Sequence, residues 1–319
     1  MLDARNALLD SIVTLRYRVV GIEARKRSPP RFGGNPQFHT KGQVMTVKLS
    51  KDQFGPWALV TGASSGIGEE FARQIAASGI NVVLVARRAA SLQKVGDGLA
   101  RDFGVAFRTI VADLSQEGFM KGLVSATDDL DIGLVVSNAG TGSPGRFLTS
   151  SLDEMAALLR LNTVAHLKLA HHFVQRLAKS KRGGILFVGA MGADNGVPYM
   201  ANDGAAKAYV QSFAQALHVE LKSFGVHVTV LPPGPTDTPV LDKFGLTPDA
   251  MPMKPMKVEQ CVYEGLKALG ANRPLIIPGR MNRIMNAVIP PSLVRTMMAK
   301  TFEKALGKQL SVPNRAEVR

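Results

Sequence analysis

Two features of this 319-residue chain could do chemistry on a phosphate. The first is Thr61-Gly62-Ala63-Ser64-Ser65-Gly66-Ile67-Gly68, set between a short apolar run, Trp57-Ala58-Leu59-Val60, and a stretch of helical pattern from Ile67. Its glycines are spaced G-x3-G-x-G. Glycine lets a chain turn tightly, bring its backbone against a pyrophosphate and pack a helix closely on a strand. The helix start then offers free N–H groups and a positive dipole end to an anion. The second feature is Arg87-Arg88, after the next apolar run at 81–85. A carboxylate at that place would accept the hydroxyls of a ribose, whereas two guanidinium groups suit bidentate contact with a phosphate.

Such a turn has to be held by a sheet. From Trp57 onward, apolar runs alternate with helical patterns: 57–60 and 81–85 are followed by 107–111, 132–136, 185–188, 226–231 and 275–277. This alternation predicts an α/β fold, a single doubly wound parallel sheet of Rossmann type with about seven strands, helices on both faces and right-handed crossovers. The domain is read as 45–280. Residues 1–44 form an N-terminal extension, expected to be flexible and dispensable. It joins a short amphipathic pattern at 4–20 to a breaker-rich stretch at 25–44. Residues 281–319 read as a basic amphipathic C-terminal tail.

The net charge of +14 first suggests nucleic acid or membrane. The ends carry most of it: residues 1–44 hold 8 Lys/Arg against 3 Asp/Glu, and 280–319 hold 8 against 2, leaving +3 for the rest. No basic–aromatic recognition pattern accompanies the charge, so no nucleic-acid partner is expected. The basic ends leave peripheral contact with a membrane open. No run is long and apolar enough for a transmembrane helix, and no signal peptide is read, so a cytoplasmic location is expected. The single cysteine, Cys261, allows no intramolecular disulfide. The six histidines show no metal-ligand spacing, and no metal is expected.

TGASSGIG resembles the signature of the short-chain dehydrogenase/reductase family, and further motifs of that family follow in order. Asp113-Leu114 stands after the third strand, where the family's Asp contacts the adenine. Asn138-Ala139-Gly140 matches the NAG motif after the fourth strand, and Asn162 lies at the family's helix asparagine. Lys207 matches the lysine of the active-site helix. Pro233-Gly234, with Thr236 and Thr238, resembles the element that cradles the nicotinamide. The resemblance covers about 55–280. It implies a nicotinamide cofactor held by Gly62, Ser64, Ser65, Gly66, Ile67 and Gly68 together with these later residues. Arg87 and Arg88 make NADP(H) the expected cofactor over NAD(H).

The same resemblance exposes a departure. In the family, a Tyr four residues before the Lys is the general acid/base, and a Ser 13 residues before the Tyr hydrogen-bonds the substrate oxygen. Here those positions are Asp203 and Ala190, while Asn162 and Lys207 remain. Tyr199 and Tyr209 are the nearby phenols that could substitute, Tyr199 as a displaced acid. Asp203 and Lys207, at i and i+4, form a favourable helix pair, which predicts an ion pair with Asp203 ionised. Asp203 is then a base, a holder of Lys207 and the ribose, or a salt bridge in place of a discarded site.

On the substrate side, 238–257 resembles the family's mobile lid, with Phe244, Leu246, Met251, Met253 and Met256 suited to an apolar ligand. Leu293, Val294, Met297, Met298, Phe302 and Leu306 fall on one helical stripe that could pack on the lid, pair subunits or lie on a membrane. A homo-oligomer is expected. Three functions stay open: an NADP(H)-dependent oxidoreductase with an atypical acid/base site acting on an apolar small molecule; a non-catalytic NADP(H)-binding pseudoenzyme or sensor; or a non-redox enzyme on this scaffold.

Overall fold

The computed structural model describes residues 47–246 and 254–307. All of them lie in one compact unit, which begins at Val44. The expectations for the extension 1–44, for Met251 and Met253 of the lid and for the end of the tail lie outside the described residues.

Among the described residues, one parallel sheet is built from β1 (Trp57–Thr61), β2 (Asn81–Ala86), β3 (Phe107–Val111), β4 (Ile132–Ser137), β5 (Gly184–Val188) and β6 (His227–Leu231). Its spatial order is β3-β2-β1-β4-β5-β6. The order reverses between β1 and β4, which opens a crevice at the carboxyl ends of these strands, the general place for a ligand in such sheets. β4 and β5 are buried along their whole length. A strand covered on both faces is mostly apolar, which explains the unbroken runs 132–136 and 184–188; Ser137, at the end of β4, is buried and polar.

Side chains alternate along a strand, so parity sorts the strands into two cores. Val60, Leu84 and Val136 pack with Phe71, Ile75 and Leu266 on one face. Leu59, Val85 and Val135 pack with Leu123, Phe173 and Val210 on the other. The covering helices are α1 (Gly66–Ala76), α2 (Ala89–Phe103), α3 (Phe119–Ser125), α4 (Leu152–Leu159), α5 (Ala165–Ser180), α6 (Ala201–Leu221) and α7 (Val258–Gly270). α4 runs into α5 through a π-helical turn, Arg160–Val164.

The sheet has six strands because the seventh apolar run pairs at one point only. Leu275 and Val230 form a single parallel bridge. Pro274 and Pro278 bracket the run, and neither has an N–H to extend the ladder. The segment read as a tail from 281 belongs to the folded body as far as it is described. It forms α8 (Arg280–Val288) and α9 (Pro291–Leu306), with Asn282, Phe302 and Leu306 buried. Phe302 and Leu306 pack with Tyr199, Met200, Leu246 and Met298. The stripe expected on this helix therefore splits, since Leu293 stays half exposed. No helix among the described residues is long and apolar enough to cross a membrane.

Candidate active site

The turn after β1 is fixed by backbone contacts. Gly62 N and Ala63 N donate to Val85 O at the end of β2. Asn138 Nδ2 donates to Thr61 O at 2.9 Å, while Asn138 N and Ala139 N donate to Thr61 Oγ1 at 2.9 and 3.0 Å. Asn138 and Ala139 thus tie the ends of β1 and β4 together and set the walls of the crevice. Ser65 precedes α1 in extended backbone, and its side chain does not cap the helix. The first N–H groups of α1 are left for an anion. A Cβ at Gly68 would lie 2.2 Å from Gly62 O and 2.6 Å from Asn138 Nδ2. Glycine is required there because the helix starts against the turn itself. Ile67 packs into the core beside it.

Arg88 Nη2 donates to Ser64 O at 3.4 Å and to Ser64 Oγ at 3.3 Å, so this guanidinium lies on the glycine turn. Arg87 is exposed. Asp113 accepts from Ser115 N and Oγ at 2.9 and 2.7 Å. These bonds, chiefly that from the Ser115 hydroxyl, hold its carboxyl below the usual range, and the Arg87 charge contributes. Leu114 is buried beneath. After β6, Met191 N donates to Pro233 O, and Thr236 Oγ1 donates to Gly234 O at 2.9 Å. Thr238 Oγ1 donates to Thr236 O, and a Cβ on Gly66 would meet Thr238 at 3.4 Å. The element at 233–238 thus spans from the loop after β5 to the glycine turn. Its backbone, the α1 start and the exposed Arg87 lie around the carboxyl ends of the strands. The residues expected at a cofactor meet around this one crevice.

On the other side of the crevice, Gly140 marks where three groups converge. A Cβ there would lie 3.0 Å from Asn162 Oδ1 and 3.1 Å from Lys207 Nζ. Asn162 sits in the π-helical turn, a feature often found at functional sites. Its side chain is clamped by Thr141: Thr141 N donates to Oδ1 at 3.1 Å and Nδ2 donates to Thr141 O at 2.7 Å. Asn162 Nδ2 also reaches Asp203 Oδ1 at 3.4 Å. Ser143 N donates to Asp203 Oδ2 at 3.2 Å.

The expected Asp203–Lys207 ion pair does not form. Lys207 Nζ donates instead to Val188 O at 3.0 Å. The downward shift expected for the Asp203 carboxyl from Lys207 is corrected too. Only 6% of the residue is exposed, and burial raises its carboxyl above the usual range, against the Ser143 N–H and the Lys207 charge. Burial likewise pushes Lys207 down to about 8, with the Asp203 charge opposing. Desolvation disfavours both charged forms, and here it outweighs their mutual attraction.

Tyr199 does not reach this group. It has φ +61°, its hydroxyl donates to Glu303 Oε1 at 2.7 Å on α9, and Arg146 lies 5.9 Å over its ring. Tyr209 is exposed and stacks on Phe213 at 5.8 Å. Ala190, 13 residues before Asp203, donates from its N–H to Gln211 Oε1 at 3.0 Å. The sequence reading missed His166, which is buried with Nδ1 2.6 Å from Ser137 Oγ. Burial above all, then the Lys207 charge, pushes this imidazole down to about 3. It is a neutral brace between the end of β4 and the bulged helix. A histidine one helical turn after Asn162 was the available signal. A cleft of about 370 Å³ opens at Asp203, lined by Ser143, Asn202 and a mainly apolar wall that includes Phe147, Met155, Leu158, Met200 and Ala299. Among the described residues, no cluster of His, Cys, Asp or Glu could hold a metal ion.

The short chain dehydrogenase family profile matches residues 56–248. The chain belongs to the short chain dehydrogenase family. It is 31% identical over 236 residues to a 7beta-hydroxysteroid dehydrogenase of Collinsella aerofaciens, covering 73% of this chain and 89% of the relative. It is 36% identical over 183 residues to a very-long-chain 3-oxoacyl-CoA reductase of Neurospora crassa, covering 54% of each. Among solved structures, a short-chain dehydrogenase from Sphingobium yanoikuyae in complex with NADPH matches with TM-score 0.67 and 30% identity, covering 70% of this chain and 88% of that one.

Proposed function

We propose that this protein is an NADP(H)-dependent oxidoreductase that interconverts a ketone and a secondary alcohol on a bulky apolar molecule. In this reading the Asp203 carboxyl moves the proton that a tyrosine moves in the family. The observation that carries it is the place and state of Asp203. It sits in the cleft wall, held by Asn162 and Ser143, and burial raises its carboxyl, the direction that favours the proton-bearing form. A neutral carboxyl can donate to a developing alkoxide, which a carboxylate cannot. When bound, the nicotinamide supplies or accepts the hydride. Gly62, Ser64, Ser65, Gly66, Gly68 and Gly140 would hold the dinucleotide, with Asp113 toward its adenine and Lys207 and Thr238 toward its nicotinamide. Arg87 and Arg88 favour a 2′-phosphate because two guanidinium groups, rather than a carboxylate, follow β2. The relatives' names specify a hydroxysteroid and a long-chain 3-oxoacyl group. Both are large, apolar and oxygenated at one carbon, which suits the apolar cleft.

The test is ketone reduction by the purified protein with NADPH, on panels of oxosteroids and 3-oxoacyl thioesters. Asp203→Asn is expected to lower turnover by about 10²–10⁴-fold while leaving NADPH affinity nearly unchanged. Reduction needs the protonated acid, so its rate falls as pH rises through the raised Asp203 pKa; oxidation of the alcohol shows the opposite slope. One observation favours a second reading: both Asp203 oxygens already accept protein hydrogen bonds. Tight NADPH binding with no turnover on any panel would make this a cofactor-binding, non-catalytic protein.

A further inference from the structure

α8 and α9 form the outer layer beside the cleft, and their two sides differ. Inward, Asn282 of α8 is buried against the loop at Gly234, and Ala299 of α9 lines the cleft. Outward, α8 leaves Met281, Ile284 and Val288 exposed by 59%, 45% and 60%. Their spacing places them on one stripe of the helix. Leu293 opens α9 at 50% exposure and shares a stripe with the exposed Lys300 and Lys304. Arg280, next to Met281 at the start of α8, is exposed, and so is Arg295 on α9. Within 280–307 the sequence has five Lys/Arg and one acid, Glu303, whose carboxylate accepts from Tyr199. Arg283 is neutralised by Glu264 at 2.6 Å, while Arg295 donates to a neutral carbonyl, Asn195 O, and keeps its charge.

An exposed apolar stripe rimmed by uncompensated cations has two physical fits, a second copy of the chain or an anionic surface. A two-fold contact would set the patch against itself and bring a surface bearing Arg280, Lys300 and Lys304 against another of the same sign. An anionic lipid surface instead accepts the apolar side chains at the acyl boundary and the cations at the headgroups.

We propose that the outer face of α8 and α9 docks on an anionic lipid membrane. α9 is then both the wall of the cleft and the element at the lipid surface, so an apolar molecule dissolved in the bilayer reaches the cleft without crossing water. The inference does not depend on the chemistry at Asp203, and its test reads binding rather than turnover.

The full-length protein is sedimented with vesicles of phosphatidylcholine alone, and with vesicles containing an equal amount of phosphatidylglycerol. Binding is expected only to the second, and to weaken as salt rises. Ile284→Glu with Val288→Glu is expected to cut the vesicle partition by about tenfold or more, with NADPH affinity retained. If that variant does not fold, Val288→Gln with Arg280→Gln serves, with a smaller loss expected. Undiminished partition in a folded variant would assign any lipid binding to other basic segments and overturn the proposal. Conversion from dimer to monomer in analytical ultracentrifugation, with no effect on vesicles, would overturn it in favour of a second copy. Absence of binding by the wild type to either vesicle would overturn it as well.

Discussion

The crevice has two edges built by different means. At the cofactor edge half of the contacts join backbone to backbone, Gly62 and Ala63 on Val85 O and Met191 on Pro233 O, and the rest join backbone to Thr61 Oγ1 or Asn138 Nδ2. At the proton edge they are side chains: Asp203, Asn162 and Lys207, each positioned by a backbone group of another loop or strand. A backbone cradle excludes any residue that carries a Cβ in the wrong place, and this steric demand holds at every pH. A side-chain site is defined by which groups hold protons, and burial sets that. The first kind of edge tolerates almost no change of residue type. The second can keep its geometry while its chemistry changes.

The sharpest way to break this contrast is at Gly68. Gly68→Val would force a side chain into Gly62 O and Asn138. The cost of such overpacking is about 1–3 kcal/mol or more, and it falls on the turn proposed to hold the phosphates. NADPH affinity is expected to drop by about 100-fold, with the melting temperature lowered by roughly 5 °C. Calorimetric titration and thermal denaturation read both. Retained affinity would show that the turn is more plastic than its contacts imply.

The next effect tests the proton edge. Asp203→Tyr with Ala190→Ser installs the family's proton donor and its hydrogen-bonding serine beside Asn162 and Lys207. A phenol stays protonated far above the range in which a carboxyl ionises. At mildly alkaline pH the double variant should therefore reduce the ketones about 10²-fold faster than the wild type, and the gap should narrow as pH falls through the Asp203 pKa. A gain that ignores pH would mean that the wild-type carboxyl is not the acid.

How much of this was legible in the sequence follows the same division. The glycine turn, the apolar strands and the order of motifs were readable because each rests on local sterics or periodicity. The seventh strand failed where Pro274 and Pro278 remove donors from its ladder, a signal present in the sequence but outweighed by the apolar run. Asp203, Asn162 and Lys207 were located by spacing, yet the direction of the Asp203 shift and its pairing with Lys207 were misread. Helical spacing shows the ammonium four residues away; it does not show that the Ser143 loop and Asn162 bury the carboxyl while Lys207 turns to Val188. Ser137 and His166 meet across 29 residues, a contact that only the packed fold creates.

A smaller effect is expected at the arginines. Both are exposed, so each contact with a phosphate is partly screened by solvent. Arg87→Ala with Arg88→Ala should weaken NADPH by about tenfold and leave NADH nearly unchanged. Paired calorimetric titrations would show it. Equal loss for both cofactors would mean that the guanidinium groups support the glycine turn, through the Arg88–Ser64 contact, rather than choose the cofactor.

The smallest effect is expected at Tyr199, and it separates two accounts of the proton edge. Tyr199 lines the same cleft as Asp203, and a displaced tyrosine acid is the simplest way to keep the family's chemistry. Its hydroxyl, however, donates to Glu303, and that bond, followed by burial, holds its pKa above the usual phenol value. An acid already donating to a carboxylate, with its pKa moved away from neutrality, is a poor proton source for a substrate oxygen. Its backbone at φ +61° fixes the ring toward α9, where Phe302 and Met298 pack with it. Tyr199→Phe removes one exposed hydrogen bond and keeps the ring. Turnover is expected to stay within about twofold, the scale of an exposed polar contact, and the pH profile should not move. A loss of turnover comparable to that of Asp203→Asn would transfer the proton to Tyr199 and make Asp203 a residue that positions Asn162 and the 141–143 loop.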